Sequence, residues 1–113
     1  MHQVQFTQIT PQVSVSGQIH PNDFTQIKEA GFQTIICNRP DGEDPGQPTA
    51  AEIEMAAQIN GLLFFFVPFS PMNPSPTLVE DFQAARSAAK GKILAYCRSG
   101  NRSARLTQAT QER

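Results

Sequence analysis

The chain has 113 residues with a mass of 12.4 kDa, a length that fits one domain spanning residues 1–113. Its formal net charge of −1 argues against a protein whose main task is to hold nucleic acid or an anionic membrane. Two cysteines are too few for a disulfide scaffold, and a reducing compartment is the simpler interpretation. Because the N-terminus has no signal-peptide pattern and no apolar run is long enough to cross a bilayer, we expect a soluble cytoplasmic protein.

The first third of the chain predicts two short strands followed by a helix. The strands fall within residues 5–16, where Val13 and Val15 alternate with serines at a period of two. The helix begins at residues 21–23, continues with apolar side chains at helical spacing and ends at Gly31, where a C-terminal glycine belongs.

From there onward, apolar β-branched runs alternate with capped amphipathic segments. Thr49-Ala50-Ala51-Glu52 and Thr77-Leu78-Val79-Glu80 have the spacing of capping boxes, so each predicts a helix start. The run at 62–67 predicts a core strand between two helix layers. The predicted order is a strand at 34–37, a loop at 38–48, a helix from 49 to Gly61, a strand at 62–67, a loop at 68–76, a helix from 77 to Gly91, a strand at 92–96, a turn at 97–101 and a last helix from Arg102.

This alternation predicts an α/β fold in which parallel strands are joined by right-handed crossovers. In such folds the site lies outside the carboxyl ends of the strands. The loops at 38–48, 68–76 and 97–102 meet at that edge, and they hold nearly all of the chemically reactive side chains.

The strongest functional signal is the segment Cys97-Arg98-Ser99-Gly100-Asn101-Arg102-Ser103, in which a strand delivers a cysteine and an arginine opens a helix. Successive backbone amides of such a loop form an anion-binding nest, and the helix N-terminus adds partial positive charge. We therefore expect Cys97 to be a nucleophilic thiolate that substrate can reach, and Arg102 to close over the anion as a bidentate fork. The residues expected to contact substrate are Arg98, Ser99, Gly100, Asn101 and Ser103.

The cysteine loop resembles the active-site loops of two related chemistries. Protein tyrosine and dual-specificity phosphatases use Cys-x5-Arg, whereas rhodanese-type sulfurtransferases use a loop one residue shorter, as this chain does. Across nearly its whole length, however, the chain resembles the phosphatase-like domain of beta-lactamase-hydrolase-like proteins, through Val15-Ser16-Gly17-Gln18, the segment 38–48 followed by Ala51-Glu52-Ile53, and the cysteine loop. The resemblance implies a dual-specificity/tyrosine-phosphatase-like sandwich, with a central, mostly parallel sheet flanked by helices.

The last helix departs from the family pattern, because relatives continue well beyond it. The chain stops at Arg113, so the resemblance implies a domain truncated at its C-terminus. The helix from Ser103 carries only Ala104, Leu106 and Ala109 as apolar side chains, which is a thin stripe. We expect either a frayed helix or a homodimer in which a partner subunit completes it.

A phosphatase also requires a general acid for the leaving oxygen. The phosphatase resemblance places it in the loop at 66–74, which contains no Asp, Glu or His. Asp41 is the remaining candidate at the same sheet edge, with Glu43 and Asp44 as alternatives. A carboxylate near Arg102 or Arg39 can equally be a structural ion pair that orients the arginine.

Three functions therefore stay open. The whole-chain resemblance favours a cysteine-dependent phosphatase-like hydrolase, in which Cys97 attacks phosphorus. The shorter loop and the missing acid favour a rhodanese-like sulfurtransferase carrying a persulfide on Cys97, and the third candidate is a non-catalytic oxyanion-binding regulatory domain. The expected partner is a small oxyanion, a phosphoester or a sulfane-sulfur substrate. No metal or other cofactor is expected, because His2 and His20 show no ligand spacing.

Several residues near the predicted site have a structural interpretation as well. We expect Cys37 to pack as a small hydrophobe, with a resolving thiol for the nucleophile as the alternative. Phe69 and Met72 are expected to wall the pocket, although core packing suits Phe69 equally well. Arg39 is expected to pair with a nearby carboxylate in solvent, and Asn38 is placed to reach the cysteine loop.

Overall fold

Helices cover both faces of a five-stranded, mostly parallel sheet whose strands are the apolar runs of the sequence. The computed structural model describes residues 3–111, and within them no helix is both long and apolar enough to cross a membrane. The predicted fold class and the order of helices and strands are confirmed. The elements are β1 (Thr7–Gln8), β2 (Val13–Ser16), α1 (Phe24–Glu29, preceded by a 3-10 turn at Pro21–Asp23), β3 (Phe32–Cys37), α2 (Ala50–Ile59), β4 (Leu63–Phe66), α3 (Leu78–Ala88), β5 (Lys92–Tyr96) and α4 (Asn101–Ala109).

β5 lies in the middle of the sheet, in the order β1-β2-β5-β3-β4. It runs parallel to β2 on one side and to β3 on the other, while β4 is parallel to β3 and β1 pairs antiparallel with β2. Ser16, Cys37 and Tyr96 lie in one row across three neighbouring strands. The residues that follow them, Cys97 among them, therefore leave the sheet at the same carboxyl edge.

The two faces of β5 contribute to two hydrophobic cores, because alternate residues of a strand point to opposite sides. Leu94 and Tyr96 pack in the core that contains α1 and α2. Ile93 and Ala95 pack in the core that contains α3 and α4. The strand that delivers the cysteine is thus fixed from both sides, so it forms a rigid support for the loop that follows.

β4 is an edge strand, which corrects the expectation of a strand buried between two helix layers. Phe64 packs on one core and Phe65 on the other, as the alternation requires. Leu63 and Phe66, however, remain 42% and 44% exposed. A continuous apolar run has the same pattern in an edge strand as in a central one, so the sequence could not separate the two.

The two predicted capping boxes have different outcomes. At the start of α2, the Glu52 N–H donates to Thr49 Oγ1 at 3.1 Å, and the Thr49 N–H donates to the Glu52 carboxylate at 3.0 Å, which confirms the prediction. At the start of α3 the prediction is wrong, because the Thr77 hydroxyl donates to the Asp81 carboxylate at 3.0 Å instead. Thr77 has φ −104° and ψ 16°, outside the extended conformation that aims an N-cap oxygen at the first turn.

The buried face of α4 is more polar than its apolar stripe predicts. Leu106 is buried as expected, but Ala109 is exposed, and Thr107 and Thr110 are buried instead. The two threonine hydroxyls donate to carbonyls one turn earlier, at 2.8 and 3.0 Å, so their burial does not leave them unpaired. Arg86 of α3 donates to Thr110 Oγ1 at 2.8 Å and joins the two helices. α4 is therefore docked within this chain, and a homodimer through it stays a prediction.

Replacing Thr49 with alanine tests the confirmed capping box. Thr49→Ala removes the oxygen that accepts from the Glu52 amide, so the free energy of unfolding should fall by about 1 kcal/mol. Thr77→Ala is the matched control, since that hydroxyl does not cap α3, and its loss should change stability by less than about 0.5 kcal/mol. Urea unfolding followed by circular dichroism measures both variants, and an equal loss in the two would contradict the assignment.

Candidate functional site

Cys97 lies where β5 ends and the backbone turns into α4. The residue is fully buried, and the Gly100 N–H donates to its Sγ at 3.0 Å. Gly100 has a φ of 98°, in the left-handed region that glycine adopts without strain, and it immediately precedes α4. The turn therefore points a backbone donor at the sulfur.

The end of β2 supports this turn from one side. The Cys97 N–H donates to Ser16 O at 3.3 Å, and the Gln18 N–H donates to Arg98 O at 3.4 Å. A Cβ added to Gly17 would lie 3.0 Å from Arg98 O, closer than ordinary van der Waals contact. Glycine at position 17 thus allows the two backbones to touch, and this contact fixes the position of the cysteine loop.

Arg102 reaches from the first turn of α4 to the cysteine and to loop 38–48. Its guanidinium binds Glu43 through both Nη atoms, at 2.7 and 2.8 Å, and Nη1 also donates to Phe69 O at 2.9 Å. The Glu43 hydrogen bond, partly offset by burial, raises the pKa of Arg102, and Cys97 beside the guanidinium adds a smaller contribution. In return, the Arg102 hydrogen bond lowers the pKa of Glu43. Arg102 thus makes the predicted bidentate contact with an anion, and that anion is the Glu43 carboxylate of the same chain.

Arg39 binds the same carboxylate from loop 38–48. It is only 4% exposed, so the expectation of a solvated ion pair is wrong. Its Nε donates to Glu43 Oε1 at 3.0 Å, its Nη1 to Gln18 Oε1 at 3.0 Å and its Nη2 to Asp44 Oδ2 at 2.6 Å. A guanidinium this deeply buried is tolerated because each of its nitrogens has an acceptor.

Asn38 and Ser103 connect the loops that meet at the site, and both are fully buried. The Ser103 hydroxyl donates to Asn38 Oδ1 at 2.8 Å, and Asn38 Nδ2 donates to Val67 O at 2.8 Å. Asn38 thus reaches the helix that follows the cysteine loop, in the direction expected of it. The Ser103 hydroxyl is bonded to Asn38 in this conformation and positions α4, and contact of Ser103 with a substrate stays a prediction.

Asp41, the predicted general acid, is a residue of loop 38–48 whose side chain bonds the start of α2. Its Oδ1 accepts from the Ala50 N–H at 2.8 Å, at the first residue of that helix. The carboxylate that the structure brings to Arg102 is Glu43, one of the two alternatives to Asp41. Acid catalysis by Asp41 stays a prediction.

The other residues of the cysteine loop lie at its rim. Arg98 is exposed, and its Nε lies 3.6 Å from Asp44 Oδ2. Ser99 Oγ accepts from the Asn101 N–H at 3.3 Å. Across residues 3–111, no three His, Cys, Asp or Glu side chains come together in a way that could hold a metal ion. The charged side chains that lie around the cysteine loop are Arg39, Arg98 and Arg102 together with Glu43 and Asp44.

Three neighbours of the site differ in burial. Cys37 is buried, as expected of a packing residue; its Sγ donates to Arg39 O at 3.4 Å, and burial raises the pKa of its thiol to about 11. Phe69 packs on the edge of a core and presents its carbonyl to Arg102. Met72 is 94% exposed, so the expectation that it walls the pocket is wrong.

The burial of Cys97 sets a condition on any chemistry at this loop. The sequence predicts a thiol that substrate can reach, and in this conformation that prediction is wrong. Arg102 lies beside the thiol, and Glu43 occupies the guanidinium fork. A substrate therefore reaches the sulfur only if this conformation changes.

The sequence predicts no role in the site for two residues that support it, which belong to the Val15-Ser16-Gly17-Gln18 motif. Gly17 permits the contact with Arg98, and the Gln18 side chain accepts from Arg39. A glycine directly after a predicted parallel strand was the available signal, because that position faces the loops at the carboxyl edge.

Residues 5–113 match a family described as "Beta-lactamase hydrolase-like protein, phosphatase-like domain". Two curated relatives, beta-lactamase hydrolase-like proteins of Xylella fastidiosa (strain Temecula1 / ATCC 700964) and Agrobacterium fabrum (strain C58 / ATCC 33970), are each 34% identical over 98 residues. Each alignment covers 87% of this chain and 23% of the relative, so the chain spans about a quarter of the length of these proteins.

Solved structures share the fold. A Neisseria meningitidis protein proposed to be a phosphatase is 34% identical with a TM-score of 0.80, over 88% of this chain and 71% of that one. The core catalytic domain of the PP-IP phosphatase SIW14 from S. cerevisiae is 18% identical with a TM-score of 0.70, over 95% of this chain and 64% of that one, a likeness of fold alone. The predicted phosphatase-type sandwich is confirmed.

Iodoacetamide labelling of the native protein near neutral pH distinguishes the two cysteines. Burial raises the pKa of Cys37 to about 11 and keeps that thiol protonated, whereas the Gly100 N–H donates to Cys97 Sγ at 3.0 Å and the Arg102 guanidinium lies beside that sulfur. We expect one modified thiol per chain, mapped to Cys97, lost in Cys97→Ser and retained in Cys37→Ser. Both thiols are buried, so labelling of Cys97 reports molecules in which the site has opened. Preferential labelling of Cys37 would contradict the assignment of Cys97 as the reactive thiol, and labelling of neither thiol would show that the site stays closed around Cys97.

Proposed function

The chain belongs to the family of phosphatase-like domains of beta-lactamase hydrolase-like proteins, and we propose that it is a phosphatase that uses Cys97 as its nucleophile. The observation that carries the proposal is the guanidinium of Arg102, which lies beside the cysteine with both Nη atoms bonded to one carboxylate. A carboxylate held in this way takes the place of two oxygens of a phosphoryl group, since guanidinium binds both by the same pair of parallel hydrogen bonds.

The proposed reaction has two steps. In the first, the Cys97 thiolate attacks phosphorus, the S–P bond forms, and the bond to the leaving oxygen breaks as that oxygen takes a proton. In the second, water attacks phosphorus and loses a proton, and the S–P bond breaks to return the thiolate and inorganic phosphate. Arg102 and the loop amides stabilise the charge on the phosphoryl oxygens in both steps.

Asp41 is the proposed general acid, and Glu43 is poorly suited to that role. While it is paired with Arg102, Glu43 has a lowered pKa, so this carboxyl is ionised near neutral pH and has no proton to donate. Asp41 lies two residues earlier in the same loop, where it accepts from the amide of Ala50. We expect aryl phosphates to be turned over fastest, because their leaving oxygens need the least help from an acid.

A sulfurtransferase is the second candidate, favoured by the four residues between Cys97 and Arg102 and by the lack of an acidic side chain at 66–74. In this reaction the Cys97 thiolate attacks the outer sulfur of thiosulfate, a persulfide forms and sulfite leaves. Cyanide then removes that sulfur as thiocyanate and restores the thiolate.

Hydrolysis of p-nitrophenyl phosphate tests the proposed phosphatase. The wild-type protein should release p-nitrophenol, and Cys97→Ser should abolish turnover. Arg102→Lys should lower kcat/KM about 100-fold, because an ammonium group cannot make the bidentate contact. Glu54→Gln, on the exposed face of α2, is the matched control and should leave kcat/KM unchanged.

Thiosulfate with cyanide provides the parallel assay on the same variants. Thiocyanate that depends on Cys97, with no phosphate released in the first assay, would assign sulfur transfer instead. A protein that binds inorganic phosphate and turns over neither substrate would be the non-catalytic oxyanion-binding domain.

A further inference from the structure

Three arginines and two carboxylates of the same chain fill the site. Arg102 holds Glu43 in its fork, while Asp44 Oδ2 lies 2.6 Å from Arg39 Nη2 and 3.6 Å from Arg98 Nε. Arg39 contacts both carboxylates, because its Nε lies 3.0 Å from Glu43. The site therefore has two adjacent anion positions, one at Arg102 and one between Arg39 and Arg98.

The burial of Arg39 links the two positions energetically. Its Nη1 donates to Gln18, and its Nε and Nη2 donate to Glu43 and Asp44. If these two carboxylates moved away and nothing replaced them, a guanidinium only 4% exposed would lose two of its acceptors, which is strongly destabilising. A ligand that fits the opened site therefore has to supply acceptors at both positions.

We propose that Glu43 and Asp44 occupy the places of two anionic groups of the substrate, so that the site takes a compound with a second phosphate or carboxylate beside the reacting phosphoryl group. The phosphoryl group replaces Glu43 next to Arg102, and the second anion replaces Asp44 between Arg39 and Arg98. The identity of the reacting group rests on the proposed function, whereas the two anion positions do not depend on turnover.

The loop can release both carboxylates without disturbing the core. Asp41 stays bonded to the start of α2, and the two carboxylates lie between Gly42 and Gly46. Neither glycine has a heavy atom of another segment within 4 Å of where a Cβ would lie, so the chain faces open space on that side at both positions. A hydrogen bond of 3.1 Å from the Asp44 N–H to Gln47 Oε1 holds it closed.

A tethered carboxylate weakens the binding of a free anion, because the anion binds only those molecules in which the guanidinium is free. The smaller that fraction of molecules is, the lower the apparent affinity for the anion. Removal of the Glu43 charge should therefore strengthen anion binding. If Glu43 only positioned Arg102, its removal would weaken anion binding instead. The sign of the change thus separates an occupant of the site from a positioning residue.

Titration calorimetry with inorganic phosphate and pyrophosphate tests the proposal directly. In the wild-type protein, pyrophosphate should bind about tenfold more tightly than phosphate, because it fills both positions. Glu43→Gln should tighten phosphate binding about tenfold. Asp44→Asn should tighten pyrophosphate binding about threefold, and Arg98→Gln should weaken the binding of pyrophosphate more than that of phosphate.

Two exposed charges elsewhere serve as controls for the change in net charge, and Glu54→Gln and Lys28→Gln should alter neither affinity.

The proposal of a second anion position would be overturned if the wild-type protein bound phosphate and pyrophosphate equally well. It would also be overturned if Arg98→Gln weakened the binding of both anions by the same factor. Unchanged or weaker phosphate binding in Glu43→Gln would overturn the first and make Glu43 a positioning residue. Binding of neither anion by any variant would overturn both. If the binding results hold and no phosphoester is hydrolysed, the proposed function fails while the two-anion site stands.

Discussion

The ion pair between Arg102 and Glu43 joins the two parts of the site, the helix that follows the cysteine and the loop that follows β3. Arg102 can make this pair only because the turn before α4 is fixed, and the turn is fixed by its contact with the end of β2 at Gly17. On the loop side, the buried guanidinium of Arg39 holds the same carboxylate. Movement of the turn or of the end of β2 would therefore shift the guanidinium relative to the sulfur of Cys97.

Parallel strand register brings these elements to one place. Cys37 and Tyr96 are paired across β3 and β5, so Asn38 and Cys97 leave the sheet side by side. The Asn38 side chain then bonds the end of β4 through a carbonyl and α4 through Ser103. A buried amide with partners at both ends fixes the distance between loops more strictly than apolar packing would. The rigid frame thus comes from backbone pairing and one polar link, and the adaptable part is the acidic loop.

Local pattern predicts most of the fold and the position of Cys97 and Arg102 at the carboxyl edge of the sheet. The strand, turn and helix that place these two side chains lie next to them in the sequence. The failure at Thr77 has a different origin: the spacing of its box is correct, but the incoming loop sets the backbone angles. Which carboxylate meets the guanidinium depends on the path of a proline-rich loop, and no local periodicity distinguishes Asp41 from Glu43. The exposure of β4 depends likewise on strand order, a property of the whole sheet.

We propose that the guanidinium of Arg102 beside Cys97 is an anion-binding group, which the carboxylate of Glu43 occupies in this conformation. A crystal structure of the protein grown with inorganic phosphate tests it most directly. We expect phosphate between Arg102 and Cys97, within hydrogen-bonding reach of the amides at 98–102, with the Glu43 carboxylate released from the fork. Phosphate bound elsewhere while Arg102 and Glu43 stay paired, or an Arg102 side chain turned into solvent, would contradict the claim.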